Sequence, residues 1–336
     1  MQLKSKLKTQ FLLTTLFSLT VFFSLQTSAQ QLQINDSGYF AKTGVNILVF
    51  NYDYSGMFFD EKTSAIELIH HGVRTATGGA VRLQNTPEQW DLIPKTISRK
   101  VDRKDNSIEV GLRYEEYDFN STVVVTSKDK GVEISVYLDK PVPEKLVGKA
   151  GFNFEFLPSA YFEKTYLTDG KPGSFPLYPS SKTSMEPISK KIPQFAGHTT
   201  FDDRGRGEFI VPYPIASGKT LVLAPEDPER MVKIVSETAG EDLMLFDGRN
   251  LAQNGWFIVR SLLPANKTGK VLTWYVEPNA IPNWKRKPNI GFSQVGYNPS
   301  QEKVAVIELD KNDTPLKTAS LFQVTQDGKY VEKLKG

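Results

Sequence analysis

The stretch FNSTVVVTSKDKGVEISVYL, residues 119–138, decides the fold class of this chain. Val132 to Leu138 alternates apolar and polar side chains, and this two-residue period is typical of half-buried antiparallel strands. Phe119 to Thr126 is a short run rich in β-branched residues, which also favours a strand. Asp129-Lys130-Gly131 separates the two runs and suits a tight turn. The stretch therefore predicts a β-hairpin with one buried face.

Runs of the same kind recur at Val45 to Phe50, Ile108 to Arg113 and Lys270 to Val276, with turn signals such as Asp169-Gly170 and Asp247-Gly248. No amphipathic helical pattern lasts three turns, so sheets rather than helices are expected to form the core. Strands at this spacing predict an all-β fold, a large antiparallel β-sandwich.

The first 29 residues have the pattern of a secretory signal peptide. Three lysines precede an uncharged apolar run from Phe11 to Leu25, and Thr27-Ser28-Ala29 supplies small residues for cleavage. The apolar run is short for a membrane span, which needs about 20 residues. The mature protein is therefore predicted to be secreted or periplasmic, with no membrane span after cleavage.

Charge and cysteine content exclude several classes of function. The chain has 41 Lys and Arg and 38 Asp and Glu, and three of the lysines lie in the predicted signal peptide, which leaves 38 of each sign. This balance gives no support for nucleic-acid binding and is compatible with neutral glycans. With no Cys and three His, the composition predicts neither a metal site nor a cofactor.

Three segments are expected after the signal peptide. Residues 30–283 are predicted to form the large β-sandwich. Residues 284–288, Trp-Lys-Arg-Lys-Pro, combine consecutive basic residues with proline, which is typical of an exposed linker. Residues 289–336 contain only a few strand-like runs, whereas an immunoglobulin-type sandwich needs about 7 strands in about 100 residues. They are therefore predicted to be a truncated immunoglobulin-like domain.

The strand-like runs of this last segment are Phe292 to Gly296, Lys303 to Leu309 and Ala319 to Thr325, with the start of another at Lys329 to Lys333. Half a sandwich leaves open sheet edges and an uncovered apolar face. We therefore expect the chain to be a fragment of a longer protein.

A family resemblance lies in the same segment, from Phe292 to Leu309. Gln294-Val295-Gly296-Tyr297-x-Pro299 is followed there by Lys303-Val304-Ala305-Val306. This stretch resembles the start of the immunoglobulin-like domain that precedes the catalytic barrel in glycoside hydrolase family 9, the cellulase-type family. The resemblance implies a parent enzyme that cleaves β-linked polysaccharide with two carboxyl groups.

In that family both carboxyl groups belong to an (α/α)6 barrel. The resemblance therefore implies that no catalytic residue lies in this chain and that the chain alone is inactive. It also implies two partners, namely a polysaccharide or oligosaccharide and the missing barrel of the same polypeptide.

Aromatic residues are the candidate sugar contacts, because sugars stack their apolar faces on aromatic rings. Trp90 lies in a polar loop and Trp284 in the predicted linker, and for both of them sugar contact and interdomain packing remain open. Phe175 and Tyr178 lie in a Pro-rich loop, from Pro172 to Pro179, that could flank a glycan groove or be a rigid surface loop.

Trp256 and Trp274 lie in apolar strands, which favours core packing. His70 and His71 follow a strand-like run, and adjacent residues on a strand point to opposite faces. We therefore expect that the two histidines do not share a pocket and that at least one is exposed.

Two other classes of function remain open. One is a non-catalytic glycan-binding protein. The other is a mutarotase-like sugar enzyme within the large β domain, in which His198 with Asp202 or Glu208 could form an acid–base pair.

Overall fold

The protein is nearly all β, as the sequence predicts. The computed structural model describes residues 31–51, 65–83, 94–179, 182–189, 206–250 and 255–336. The predicted signal peptide, Trp90, His198 and Asp202 lie outside these residues. Two nine-stranded antiparallel sheets make up the large part of the fold, and three two-stranded sheets accompany them. Among the described residues, no helix has the length and apolar character that a membrane span requires.

The strands up to residue 174 are β1 (Gln33–Ile34), β2 (Phe40–Lys42), β3 (Val45–Val49), β4 (Ile66–His70), β5 (Val73–Arg82), β6 (Lys95–Asp102), β7 (Ser107–Tyr114), β8 (Phe119–Lys128), β9 (Gly131–Leu138), β10 (Gly151–Phe156), β11 (Thr165–Thr168) and β12 (Lys171–Ser174). A short α-helix, α1 (Pro158–Tyr161), lies between β10 and β11. The later strands are β13 (Thr183–Ser189), β14 (Arg206–Pro212), β15 (Ala216–Gly218), β16 (Thr220–Leu223), β17 (Val232–Ser236), β18 (Leu243–Asp247), β19 (Phe257–Leu262), β20 (Gly269–Pro278), β21 (Asn289–Gly291), β22 (Val306–Glu308), β23 (Ser320–Val324) and β24 (Tyr330–Lys335).

The hairpin predicted at residues 119–138 is present. Strands β8 and β9 pair antiparallel, with Lys128 opposite Gly131, so that Asp129 and Lys130 form a two-residue turn. Asp129 adopts a φ of +50°, the left-handed conformation that such turns require. Along β8 the side chains alternate between buried and half-buried positions, which is the two-residue period of a half-buried strand.

Each large sheet has a fixed strand order. The first sheet runs β1-β2-β3-β4-β5-β10-β19-β18-β15, and the second runs β12-β11-β16-β17-β20-β9-β8-β7-β6. Neighbouring strands in both sheets are antiparallel. β10 lies between β5 and β19, so strands that are far apart in the sequence pair with each other in the sandwich.

Aromatic side chains join the two sheets in one core. Phe152 of the first sheet meets Trp274 of the second edge to face, with ring centroids 4.9 Å apart. Trp274 is fully buried, which confirms its predicted core position, and its Nε1 donates a hydrogen bond of 3.0 Å to Ser261 Oγ. The Tyr114 hydroxyl also bridges the layers by donating to the Val81 carbonyl at 2.6 Å. Buried aromatic residues dominate core energetics because each removes a large apolar area from water.

Residues 289–336 form two separate hairpins, β21 with β22 and β23 with β24. The predicted strand from Phe292 to Gly296 is wrong. Gly296 has a φ of +85° and its amide donates to the Ser293 carbonyl, so this stretch is a turn. The runs predicted at Lys303 to Leu309 and Ala319 to Thr325 do contain strands, β22 and β23.

The apolar side chains of these hairpins face solvent. Val295 is 99% exposed and Tyr330 is 75% exposed. The same holds, at lower exposure, for others of this segment: Ile290, Phe292, Val304, Val306, Leu321, Phe322, Val324 and Leu334. Two-stranded sheets have no second layer to cover them, which leaves this face open.

Candidate functional site

The predicted sugar-contacting residues lie in different environments. Phe175 is 1% exposed and packs against the rings of Tyr166 and Phe257, so it belongs to the core and does not line a surface groove. Tyr178, three residues later, is 76% exposed. The predicted loop therefore divides into a buried anchor and an exposed tip.

His70 and His71 are both buried, contrary to the sequence-based expectation that at least one is exposed. Their rings stack with centroids 4.6 Å apart. Strand β4 ends at His70, and His71 starts a turn with a φ of +49°, so the alternation of faces stops between them. Gly44 makes room for the pair, because a Cβ at this position would lie 2.6 Å from His71 Cδ2.

The hydrogen bonds of the two histidines define their neutral tautomers. His70 Nε2 lies 2.6 Å from the Asn279 carbonyl and must donate to it, and in the described residues its buried Nδ1 has no partner. His71 Nδ1 donates to the Glu229 carbonyl at 3.0 Å, and its Nε2 accepts from the Ile281 amide at 3.4 Å. Among the described residues, His70 Nδ1 has no hydrogen-bond partner and His71 Nε2 faces the Ile281 amide, so neither nitrogen is placed to hold a second proton.

Burial keeps both rings neutral. Desolvation lowers the pKa of His70 to about 4, with His71, Arg230 and Lys42 adding to the decrease and the Asn279 carbonyl opposing it. Desolvation also lowers the pKa of His71, against the raising effect of its bond to Glu229. At neutral pH the pair is therefore an uncharged platform beneath the chain that enters the C-terminal segment.

Trp284 covers this platform. Its ring lies 5.2 Å from the His71 ring in an edge-to-face contact, and its Nε1 donates to Glu229 Oε1 at 3.4 Å. A Cβ at Gly72 would lie 3.3 Å from the Trp284 ring and 3.6 Å from Arg286 Cδ. This part of the predicted linker therefore packs against the sandwich.

The next residues are held by polar contacts within the C-terminal segment. The Arg286 amide donates to Asp310 Oδ2 at 3.0 Å, and its guanidinium pairs with Glu308 at 2.8 Å. Asp310 Oδ1 also accepts from the amide of Asn312 at 2.9 Å, which closes a tight turn. Lys285 pairs with Asp313 at 3.3 Å.

A cleft of about 500 Å³ lies between the sandwich turns and this segment. This cleft is termed the junction cleft. It is lined by Asn35, Tyr39, Ala41, Lys42, Thr43, Gly44, Asn46, Gly72, Trp284, Arg286, Asp310, Lys311 and Asn312. The structure thus places Trp284 in a cleft, while the other tryptophan proposed as a sugar contact, Trp90, lies outside the described residues.

A second group of polar side chains lies on the first sheet. Strand β10 is buried along its whole length, and Phe152, Phe154 and Phe156 alternate with Asn153 and Glu155. Because Phe152 faces the core, the two polar residues point to the other face of the sheet. Sequence reasoning missed them, although polar residues at every second position of an otherwise apolar strand were the available signal.

Neighbouring strands extend this group. Arg260 pairs with Asn153 across β19, and Arg82 pairs with Gly151 across β5. A Cβ at Gly151 would lie 2.7 Å from Arg260 Nε, so the glycine leaves room for the guanidinium. Arg82, Asn153, Glu155 and Arg260 together are called the buried polar strip, and each is at most 3% exposed.

Glycine also shapes the other end of the strip. Gly78 has a φ of +65°, and a Cβ there would lie 2.9 Å from the Glu155 carboxylate. In the described part of the chain neither Nδ2 nor Oδ1 of Asn153 has a hydrogen-bond partner. A buried amide without partners costs about 1–3 kcal/mol, so Asn153 is an unfavourable residue for the stability of this sheet.

In the described residues, no group of three or more His, Asp or Glu side chains could hold a metal ion.

No family model matches the chain, and no curated protein matches it. The crystal structure of the Slr1438 protein from Synechocystis sp. PCC 6803 is similar over 74% of this chain and 96% of that chain, with 9% identity and a TM-score of 0.31. A TM-score this low carries no argument about fold or function.

Proposed function

We propose that this chain is the N-terminal accessory region of a secreted glycoside hydrolase that acts on β-linked polysaccharide. Its catalytic (α/α)6 barrel would belong to another part of the same polypeptide. The resemblance of Phe292 to Leu309 to the start of the immunoglobulin-like domain of family 9 points to this class of enzyme. The exposed apolar side chains of the same segment carry the proposal.

These side chains need a covering partner. Val306 and Phe322 belong to strands and are 63% and 47% exposed, and Val295, in the turn after β21, is 99% exposed. Large apolar side chains that a folded segment leaves exposed in this number point to an interaction site in soluble proteins. An accessory sandwich that packs against a catalytic domain would cover it.

The role proposed for the region is to hold the barrel at a defined orientation. The contact of Trp284 with the histidine platform and the pairing of Arg286 with Glu308 restrict the junction. A restricted junction fixes the direction in which the hairpins leave the sandwich. Such orientation would align a glycan on the sandwich side with an active site on the barrel side.

Hydrolysis assays test the proposal. Residues 30–336 and the longer product of the same reading frame would be incubated with carboxymethyl cellulose, xylan and mixed-linkage β-glucan. The proposal expects no reducing ends from residues 30–336 and their release by the longer product. Hydrolysis by residues 30–336, or a reading frame that encodes no barrel, would overturn it.

A further inference from the structure

We propose that the junction cleft is a binding site for a short neutral oligosaccharide, with the rings of Trp284 and Tyr39 as its apolar contacts. The choice of a saccharide rests in part on the proposed function. The site itself rests on the shape, rigidity and lining of the cleft. Both aromatic residues are half-buried and line the cleft from opposite parts of the chain.

The walls of the cleft are held in place before any ligand arrives. On the sandwich side, the His71 amide donates to the Gly44 carbonyl at 2.6 Å, which joins the β2–β3 turn to the β4–β5 turn. On the opposite side, Asp310 accepts from the Arg286 amide at 3.0 Å. Preorganised walls lower the entropic cost of binding.

Polar groups suited to hydroxyls line the same cleft. In the described residues, the hydroxyls of Tyr39 and Thr43 and the side-chain amide of Asn46 make no hydrogen bond within the protein. All three lie on the sandwich side of the cleft. A hydroxyl can both donate and accept, and an amide offers donors and an acceptor side by side, which complements adjacent sugar hydroxyls.

Apart from Lys311, the charged side chains that line the cleft are occupied by the protein itself. The Arg286 guanidinium pairs with Glu308, Asp310 accepts from backbone and amide donors, and the Lys42 ammonium donates to the Lys130 carbonyl. The groups left for a ligand are mainly uncharged, which favours a neutral sugar over an acidic one. A volume of about 500 Å³ lies within the usual range of ligand sites, roughly 300–1,000 Å³.

Titration of residues 30–336 with cellotetraose, xylotetraose and mannotetraose tests the site, with heat and tryptophan fluorescence as readouts. The proposal expects at least one of these sugars to bind and to change the fluorescence. Trp284→Ala is expected to weaken that binding about tenfold or more. Because Trp284 also packs on His71, Asn46→Ala provides a second variant that leaves the junction contacts intact, and we expect it to weaken binding several-fold.

Two controls complete the design. Tyr330→Ala removes an exposed ring of the last strand that does not line the cleft, and is expected to leave binding unchanged. Tyr178→Ala tests the Pro-rich loop. If binding is lost in Tyr178→Ala and kept in Trp284→Ala and Asn46→Ala, the site lies at the loop and the inference is overturned.

Absence of binding to all three sugars up to about 10 mM would also overturn the inference. The proposed function would survive that result if the longer product still hydrolyses polysaccharide. Conversely, binding at the cleft without hydrolysis by the longer product would support the cleft and remove the hydrolase proposal. The two ideas can therefore fail separately.

Discussion

The large sandwich and the C-terminal hairpins use the same kinds of residue with opposite results. Trp274 in β20 is fully buried, whereas Tyr330 in β24 is 75% exposed. Both lie in antiparallel strands that carry several apolar residues. The difference is that β20 belongs to a sheet with a second sheet against it, while β24 pairs with a single strand. Strand pattern predicts strands, but burial also requires a second layer.

Substitution of a buried and of an exposed apolar residue gives the largest expected difference in unfolding free energy. Trp274→Ala removes the contact with Phe152 and leaves a cavity between the sheets, and should lower the free energy of unfolding by about 3–5 kcal/mol. Leu334→Ala in the last strand should change it by less than about 0.5 kcal/mol. Urea denaturation followed by tryptophan fluorescence and circular dichroism measures both. Equal losses in the two variants would show that the contrast in burial has no energetic counterpart.

Acidification should weaken the sandwich through His70. The pKa of this ring is about 4 in the folded chain and about 6.5 in unfolded chains, so the unfolded state takes up the proton first as pH falls. The contribution of His70 to stability is complete above about pH 6.5 and is lost as pH falls towards 4. The loss is on the order of 3 kcal/mol. Denaturation curves between pH 7 and pH 4 measure it.

The control for acidification is His70→Gln, whose amide can still donate to the Asn279 carbonyl. It should be less stable than the parent at pH 7 and should lose less stability on acidification. Carboxylates that titrate in the same range contribute equally to both proteins. An unchanged pH slope in His70→Gln would contradict the assignment to this histidine.

Two glycines allow the stability cost of a steric clash at the junction to be distinguished from the cost of backbone strain. Gly44 and Gly148 share a φ of +74°, but only at Gly44 would a Cβ meet another group, the His71 ring at 2.6 Å. Gly148→Ala should cost about 1 kcal/mol from backbone strain, and Gly44→Ala about 2 kcal/mol or more. Thermal unfolding compares them. Equal losses of stability in the two variants would mean that the His71 ring moves aside at little energetic cost.

The smallest expected effect lies in the hairpins. Phe322→Ser should change the unfolding free energy of residues 30–336 by less than about 0.5 kcal/mol, because this ring is 47% exposed. In the proposed longer product with its barrel, the same substitution should lower the melting temperature, since the barrel would cover the ring. A large loss already in residues 30–336 would show that the hairpins pack on their own.

Much of the fold could be predicted from the sequence. The pattern at 119–138 predicted both strands and the turn of the β8–β9 hairpin, because the two-residue period is a local property of strands. The strand proposed at Phe292 to Gly296 was wrong because Gly296 takes a left-handed conformation in a turn. Local apolar content alone did not distinguish the strands of the β8–β9 hairpin from the turn at Phe292 to Gly296.

The candidate sites were less predictable because they depend on long-range contacts. His71 shares a pocket with His70 only because Gly44, distant in sequence, leaves space for its ring. The buried polar strip combines β5, β10 and β19, whose pairing no local pattern reveals. Trp284 was predicted as a candidate, but its contact with His71 joins residues more than two hundred positions apart.

Amide hydrogen exchange of the hairpins tests the central claim most directly. Exchange in β22, β23 and β24 would be measured in residues 30–336 and in the longer product of the reading frame, with β9 in the sandwich as the internal reference. The account predicts fast exchange of the hairpins in residues 30–336 and at least about tenfold slower exchange in the longer product, with β9 unchanged. Equal exchange of the hairpins in both proteins would contradict a packed partner domain.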